Sequence, residues 1–473
     1  MTTSNYNQKS KSAEEFINHQ EILETLSFAE QNCRNRALIE QILDKAAQLK
    51  GLSHREAGVL LACELPDLNQ KIFALAEQIK KDFYGNRIVL FAPLYLSNYC
   101  VNQCIYCPYH AKNKHIRRLK LTQEQIRDEV IALQDIGHKR LAIELGEDPV
   151  NNPIDYVLES IKTIYAIKHK NGAIRRVNVN IAATTVENYR KLHEAGIGTY
   201  ILFQETYNKQ NYEMLHPAGP KHNYAYHTEA MDRAMQGGID DVGLGVLFGL
   251  STYRYEFAGL LMHAEHLEAT YGVGPHTISF PRIKHADDID PNAFSNAIDD
   301  DIFAKIIACT RVAVPYTGMI ISTRESKECR EKVIRYGISQ ISGGSKTSVG
   351  GYAAENDGSE QFDVSDTRTL DEVVHWLMQN RYIPSFCTAC YRAGRTGDRF
   401  MEFCKSKQIL NFCHPNALMT LMEFLEDYAS EETKQVGKKL IEEELEKIPN
   451  PLIKENCKKY LQKICEGERD FRF

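Results

Sequence analysis

No stretch of the 473-residue sequence approaches the ~20 uninterrupted apolar residues that a membrane helix needs. The polar N-terminus, MTTSNYNQKSKSAEEF, also lacks the apolar core of a signal peptide. These absences predict a cytoplasmic protein with no membrane partner. Charge of one sign is scarce: the net charge of −6 gives no basis for a nucleic-acid-binding surface. The basic run Lys112–Lys120 is a local exception and reads as a solvated loop ahead of a helix. The sequence has no repeat of solenoid type.

What is present fits a soluble globular chain, 43% apolar and 25% charged, long enough for one large barrel with extensions or for three ordinary domains. In a reducing compartment its 13 cysteines point to metal ligation or catalysis rather than disulfides.

Residues 1–86 read as a helical extension, with Ser12 and Glu15 spaced as a capping box. From residue 87 to about 350, eight β-rich runs alternate with amphipathic stretches. The runs are Ile88–Leu96, Lys139–Glu144, Arg176–Ala182, Thr199–Gln204, Asp240–Leu247, His276–Phe280, Thr317–Ser322 and Gly337–Ile341. This alternation predicts an α/β fold of (β/α)8 TIM type, with a six-strand partial barrel as the alternative. Reactive groups of such a barrel lie at the C-terminal ends of its strands. Residues 351–473 read as a polar stretch followed by a helical, cysteine-bearing domain.

Directly after the first run, YLSNYCVNQCIYCPYH carries Cys100, Cys104 and Cys107. Three thiolates from one tight loop can hold three corners of a 4Fe–4S cubane and leave the fourth iron open to a small molecule. A zinc site prefers four protein ligands. The C-x3-C-x2-C spacing, with Tyr106 between the last two cysteines, resembles the signature of the radical S-adenosylmethionine (SAM) superfamily. The resemblance implies SAM on the open iron, cleaved by one electron to methionine and a 5′-deoxyadenosyl radical. Gly146 and Glu147 after the second run resemble the family segment that holds the methionine amino group. Glu205 and Tyr207 after the fourth offer a carboxylate and a phenol towards SAM. Gly245 and Gly249 suit either close passage of a nucleoside or tight packing.

In the tail, Cys387 and Cys390 are followed by Cys413 after 22 residues, with Cys404 and His414 as the nearest further ligands for a zinc knuckle. A C-x2-C-x22-C triad behind a radical SAM barrel resembles the HydG family of FeFe-hydrogenase maturases, over nearly the whole chain. That resemblance implies a carbon–carbon lyase acting on L-tyrosine. It would form p-cresol and dehydroglycine, then carbon monoxide and cyanide on an iron bound to an auxiliary 4Fe–4S cluster through a bridging free cysteine. The product would be an Fe(CO)(CN)–cysteine synthon for the hydrogenase H-cluster. Implied partners are a GTPase or scaffold, a second radical SAM maturase and a low-potential electron donor, in an anaerobic setting.

The resemblance further implies an imidazole for the extra iron, His266 being chosen over His263 one helical turn away. It places the substrate carboxylate at Arg324, with Ser322, Tyr95 and Ser342 as companions. A tyrosine lyase that stops at dehydroglycine, or a non-catalytic Fe–S scaffold, are the alternatives.

Overall fold

Between residues 87 and 342, apolar runs form eight parallel strands in the computed structural model, which describes residues 5–354, 358–405 and 409–473. They are β1 (Arg87–Ser97), β2 (Arg140–Leu145), β3 (Arg176–Asn180), β4 (Tyr200–Ile201), β5 (Val242–Gly245), β6 (Thr277–Ser279), β7 (Gly318–Ile321) and β8 (Gln340–Ser342). Each pairs with the next, and β8 returns to β1 with Leu90 opposite Ile341 and Phe91 opposite Ser342. The ring is a closed eight-stranded barrel, so the six-strand alternative falls. Every predicted run overlaps one of these strands.

Helices pack outside the barrel, their buried faces set by apolar spacing. Thr122 and Gln125 form a reciprocal capping box at the start of helix Gln123–Asp135. Ser53–Glu56 and Thr369–Glu372 do likewise. Ser12 does stand at the N-cap of Ala13–Phe16, but its side chain makes no cap bond. Glu15 is engaged 2.5 Å away by Ser10 Oγ, which removes the partner that the predicted box required.

The N-terminal helices lie on the barrel helices Tyr253–Tyr271 and Asp300–Ala313. There the His54 ring bridges Glu265 at 2.8 Å and Glu21 at 3.0 Å. Among the described residues no helix is long and apolar enough to cross a membrane.

A ninth strand, β9 (Ile383–Ser385), lies parallel to β1 at Arg87–Val89, just below the β8 pairing. The helix Ile409–Asp427 then reaches under the barrel. Its Glu423 carboxylate is buried between Lys139, at 3.1 Å, and Arg175, at 2.9 Å, which lead into β2 and β3. Removing one member of a buried ion cluster leaves the others uncompensated. We expect Glu423→Ala to lower the thermal midpoint, at a cost of ~3–5 kcal/mol, and Glu423→Gln to cost less. An unchanged midpoint in both variants would deny the cluster its structural role.

Candidate active site at the barrel mouth and a cysteine cavity at its floor

Beyond Ser97 the chain enters the loop of Cys100, Cys104 and Cys107. Backbone bonds tie this loop to its neighbours: Val101 N to Glu147 O (2.8 Å), Gln103 N to Ala218 O (3.0 Å) and Ile105 N to Leu215 O (3.1 Å). The Arg118 guanidinium donates to the carbonyls of Asn98, Tyr109, His110 and Asn113. The basic segment is therefore more than the solvated loop its composition suggests, because Arg118 clamps the cysteine loop from behind.

All three cysteines line one cavity at the C-terminal mouth, together with Tyr106, Gly146, Glu147, Glu205, Lys221 and Arg324. A Cβ on Gly146 would stand 2.4 Å from Tyr99 O and 3.0 Å from Cys100 Cβ, so only glycine lets β2 approach the loop this closely. Asn102 donates to Glu147 at 2.6 Å and accepts from Lys221 N at 2.9 Å. Glu205 sits at φ +67°, a left-handed backbone rare for a residue with a Cβ. Its carboxylate meets Lys221 Nζ at 2.8 Å. Burial opposes the Lys221 charge, but Glu205 and the neighbouring thiols outweigh it and raise the ammonium above its ordinary value.

Burial pushes the thiols up, Cys107 to about 12, so ligation has to displace their protons. Among the described residues no three His, Cys, Asp or Glu side chains close on a single-ion point. Bonds of ~2.3 Å would draw sulfurs round one zinc to within ~4 Å of each other. Ligands on separate corners of a cubane stand further apart. Three thiols on one loop, a close-fitting glycine and a buried lysine thus fit a 4Fe–4S cluster with one open iron.

Below this cavity, inside the barrel, lies a chamber that shares Tyr95, Glu144, Asn180, Phe203, Pro281, Arg324, Gln361 and Phe362 with it. Ser322 and Ser342 line the chamber. Both hydroxyls also accept from the β7 exit turn, Ser322 from Arg324 N (3.3 Å) and Ser342 from Thr323 N (3.0 Å). Tyr95 donates to Gln361 at 2.8 Å. Arg324 stacks on Phe362, 3.7 Å from the ring centre, and its Nε has no protein partner.

At the opposite end, Cys387, Cys390 and Cys413 line a second cavity with Arg87, Arg140, His276, Tyr391 and Arg395. These residues belong to the N-terminal ends of β1, β2 and β6 and to the tail. His276 Nε2 is 2.7 Å from Tyr391 OH and its Nδ1 is 3.3 Å from Asp241. Burial lowers the imidazole, leaving a neutral ring suited to metal. Burial raises Cys387, and Cys390 to about 11.

Residues 94–257 match the Radical SAM superfamily, and residues 279–383 match the Biotin and Thiamin Synthesis associated domain. The 2-iminoacetate synthase of Salmonella typhimurium is 29% identical over 337 residues, 71% of this chain and 87% of that protein. A crystal structure of HydG, described as a maturase of the [FeFe]-hydrogenase, is 56% identical, covers 97% of this chain and 100% of its own, and superposes with a TM-score of 0.94. HydG from Carboxydothermus hydrogenoformans is 38% identical over 95% and 99% of the two chains, with a TM-score of 0.83. The chain belongs to the HydG family.

Within this HydG-family fold, two residues stand apart from the sites expected of them. His266 lines neither cysteine cavity: it stacks on Phe16, and its ring meets Gln8 O at 2.6 Å and Asp232 at 3.0 Å. His263, its alternative, is paired at 3.0 Å with Tyr207 OH. The helix turns both histidines towards the N-terminal extension, and His276 instead lines the floor cavity. Tyr207 is likewise buried on His263 and Glu256, away from the mouth cavity that Glu205 lines. Gly245 and Gly249 serve packing, since a Cβ would collide with Phe203 and Ile283 respectively.

Lys221 and His276 escaped the sequence altogether. Neither lies in a motif, although His276 opens the sixth run. In the tail, His414 bonds Glu444 O at 3.1 Å, and the side chain of Cys404 lies outside the described residues. Gly146→Ala should fold with a near-wild-type circular dichroism spectrum yet incorporate less iron at the mouth, its reduced-cluster EPR signal falling severalfold. Full cluster incorporation would rule out the close approach as a requirement.

Proposed function

We propose that this radical SAM enzyme cleaves L-tyrosine between Cα and Cβ to p-cresol and dehydroglycine in the chamber. Dehydroglycine is then converted at the floor to carbon monoxide and cyanide, for an iron–carbonyl–cyanide–cysteine product used in hydrogenase maturation. The observation that carries this reading is a second three-cysteine cavity at the opposite end of the same barrel. The Salmonella relative is named for making 2-iminoacetate, which is dehydroglycine, and the HydG structures are named as maturases.

When bound at the mouth, the cluster and SAM supply a 5′-deoxyadenosyl radical. The chain's part is to hold and orient. Glu147 and the Gly146 backbone would receive the methionine end of SAM, with Lys221 balancing charge behind the cysteines. Arg324 presents a guanidinium to the tyrosine carboxylate, flanked by Ser322, Ser342 and Tyr95. The walls of the chamber keep water from the reacting amine, and fixed geometry replaces diffusional encounter.

At the floor, Cys387, Cys390 and Cys413 would hold the auxiliary cluster. The extra iron and the free cysteine are cargo. His276, rather than His266, would hold that iron through Nε2, the nitrogen now bonded to Tyr391, while Asp241 would orient Nδ1 as carboxylates commonly do for metal-bound histidines.

The test is anaerobic reconstitution with iron and sulfide, then SAM, dithionite and tyrosine, following p-cresol, 5′-deoxyadenosine and carbon monoxide. Wild type is expected to make all three. Cys387→Ala/Cys390→Ala and His276→Ala should each keep p-cresol within about threefold and lose carbon monoxide by at least tenfold. Wild type that makes p-cresol without carbon monoxide is a lyase that stops at dehydroglycine. No SAM turnover would leave only a scaffold.

A further inference from the structure

The strand register builds one polar layer across the chamber. Tyr95 on β1 lies opposite Glu144 on β2, and Glu144 lies opposite Asn180 on β3. Residues level with one another in parallel strands project to the same face, and all three line the chamber. The facing arc, from β4 to β6 and their exits, is mainly apolar: Ile201, Phe203, Phe280 and Pro281, with Ser279 among them. Arg324 closes the polar arc from the β7 exit.

We infer that Glu144, held by Asn180, is the receptor for the α-amino group of the substrate, completing with Arg324 a two-point clamp for an aromatic α-amino acid. The inference rests on the proposed reading that such an amino acid is the substrate and Arg324 its carboxylate partner. A zwitterionic head needs an anion and a cation within one residue's reach, and this arc supplies one of each. The ring is then left to the Phe203–Phe280 side.

The groups facing Glu144 are the Asn180 amide, the Tyr95 and Tyr109 phenols and the Arg324 guanidinium. Burial pushes the Glu144 carboxyl up to about 8, against the opposing effects of Asn180 and Arg324. An ammonium brought against it favours the charged form and pulls it back down, so Glu144 meets the amino group as a carboxylate. Raised by burial, that carboxylate is a stronger base than an exposed one and can take the ammonium's proton. An N–H bond of the ammonium breaks, an O–H bond forms on Glu144, and a neutral amine remains for hydrogen abstraction.

The experiment compares tyrosine with 3-(4-hydroxyphenyl)propanoate, which lacks the amine, on reconstituted wild type and Glu144→Gln. Binding of both is measured calorimetrically and p-cresol formation is followed. Removing a charge-assisted bond should weaken tyrosine roughly 10–100-fold. The amine-free acid should change by less than about threefold, with the cluster EPR signal and SAM affinity unchanged. Glu144→Asp, which keeps the charge on a shorter arm, should regain part of the tyrosine affinity and reads the same contrast if the glutamine variant does not fold. Equal weakening of both ligands, or of neither, overturns the assignment. Wild type that binds tyrosine but makes no p-cresol overturns the lyase reading while leaving the clamp supported. Wild type that does not bind tyrosine overturns both.

Discussion

Strand β1 carries both ends of the chemistry on one backbone. Eleven residues, ten rises of ~3.3 Å, make it span ~33 Å, and it pairs with three strands: β2 along its upper half, β8 at Val89–Phe91 and β9 at Arg87–Val89. Its upper end delivers the first cysteine loop, and its lower end delivers Arg87 to the floor. Between them the alternation of the strand sends Val89 to the floor cavity and Phe91, Pro93 and Tyr95 to the chamber. The chamber and the floor share no lining residue, yet Arg140 and Ala142 on β2, and Gln340 and Ser342 on β8, stand one pleat repeat apart on either side. Closure of the barrel fixes this spacing, because β1 cannot slide without breaking pairs on both edges.

The two thiol sets share a physical state. Burial raises Cys100, Cys104, Cys107, Cys387 and Cys390, and each set has cations close by to offset the negative charge that ligation would create. At the mouth that cation is Lys221, and at the floor Arg87, Arg140 and Arg395 face Cys387. They differ in what else is present. Glu147 and Glu205 join the mouth, which suits a cofactor with a cationic sulfonium and amine. Among the described residues no acidic side chain lines the floor, where Asp241 stands one step back behind His276.

Strand positions were legible because short β-rich runs, buried on both faces, survive as barrel walls. The first cysteine loop was legible because its ligands are neighbours in sequence. Contacts made through space were not. The family resemblance pointed to His266 over His263 one helical turn away, but the helix presents that face to Phe16 and the N-terminal extension. His276 is one residue before β6, and its ligand potential depends on a tail more than a hundred residues away. Arg118 sits in a charge run that composition assigns to solvent, and only the curl of the loop brings four carbonyls to it. Glu144 could not be singled out either. Its isolation as the anion of the chamber follows from register, which sequence alone does not fix.

A change of rhythm near residue 350 marks where barrel-like alternation ends, but the physical connections ignore it. The Biotin and Thiamin Synthesis associated domain match runs from 279 to 383, across that point. β9 lies against β1 two residues before Cys387, so the second cysteine set is positioned by barrel hydrogen bonds rather than by a separate core. Glu423 then neutralises Lys139 and Arg175 at the N-terminal ends of two barrel strands. The His276–Tyr391 bond joins a barrel strand directly to the C-x2-C segment. Local unfolding of the tail would therefore expose three buried charges and an orphaned imidazole at the barrel floor. That penalty makes barrel and tail one cooperative unit and keeps the two cysteine cavities at a fixed separation.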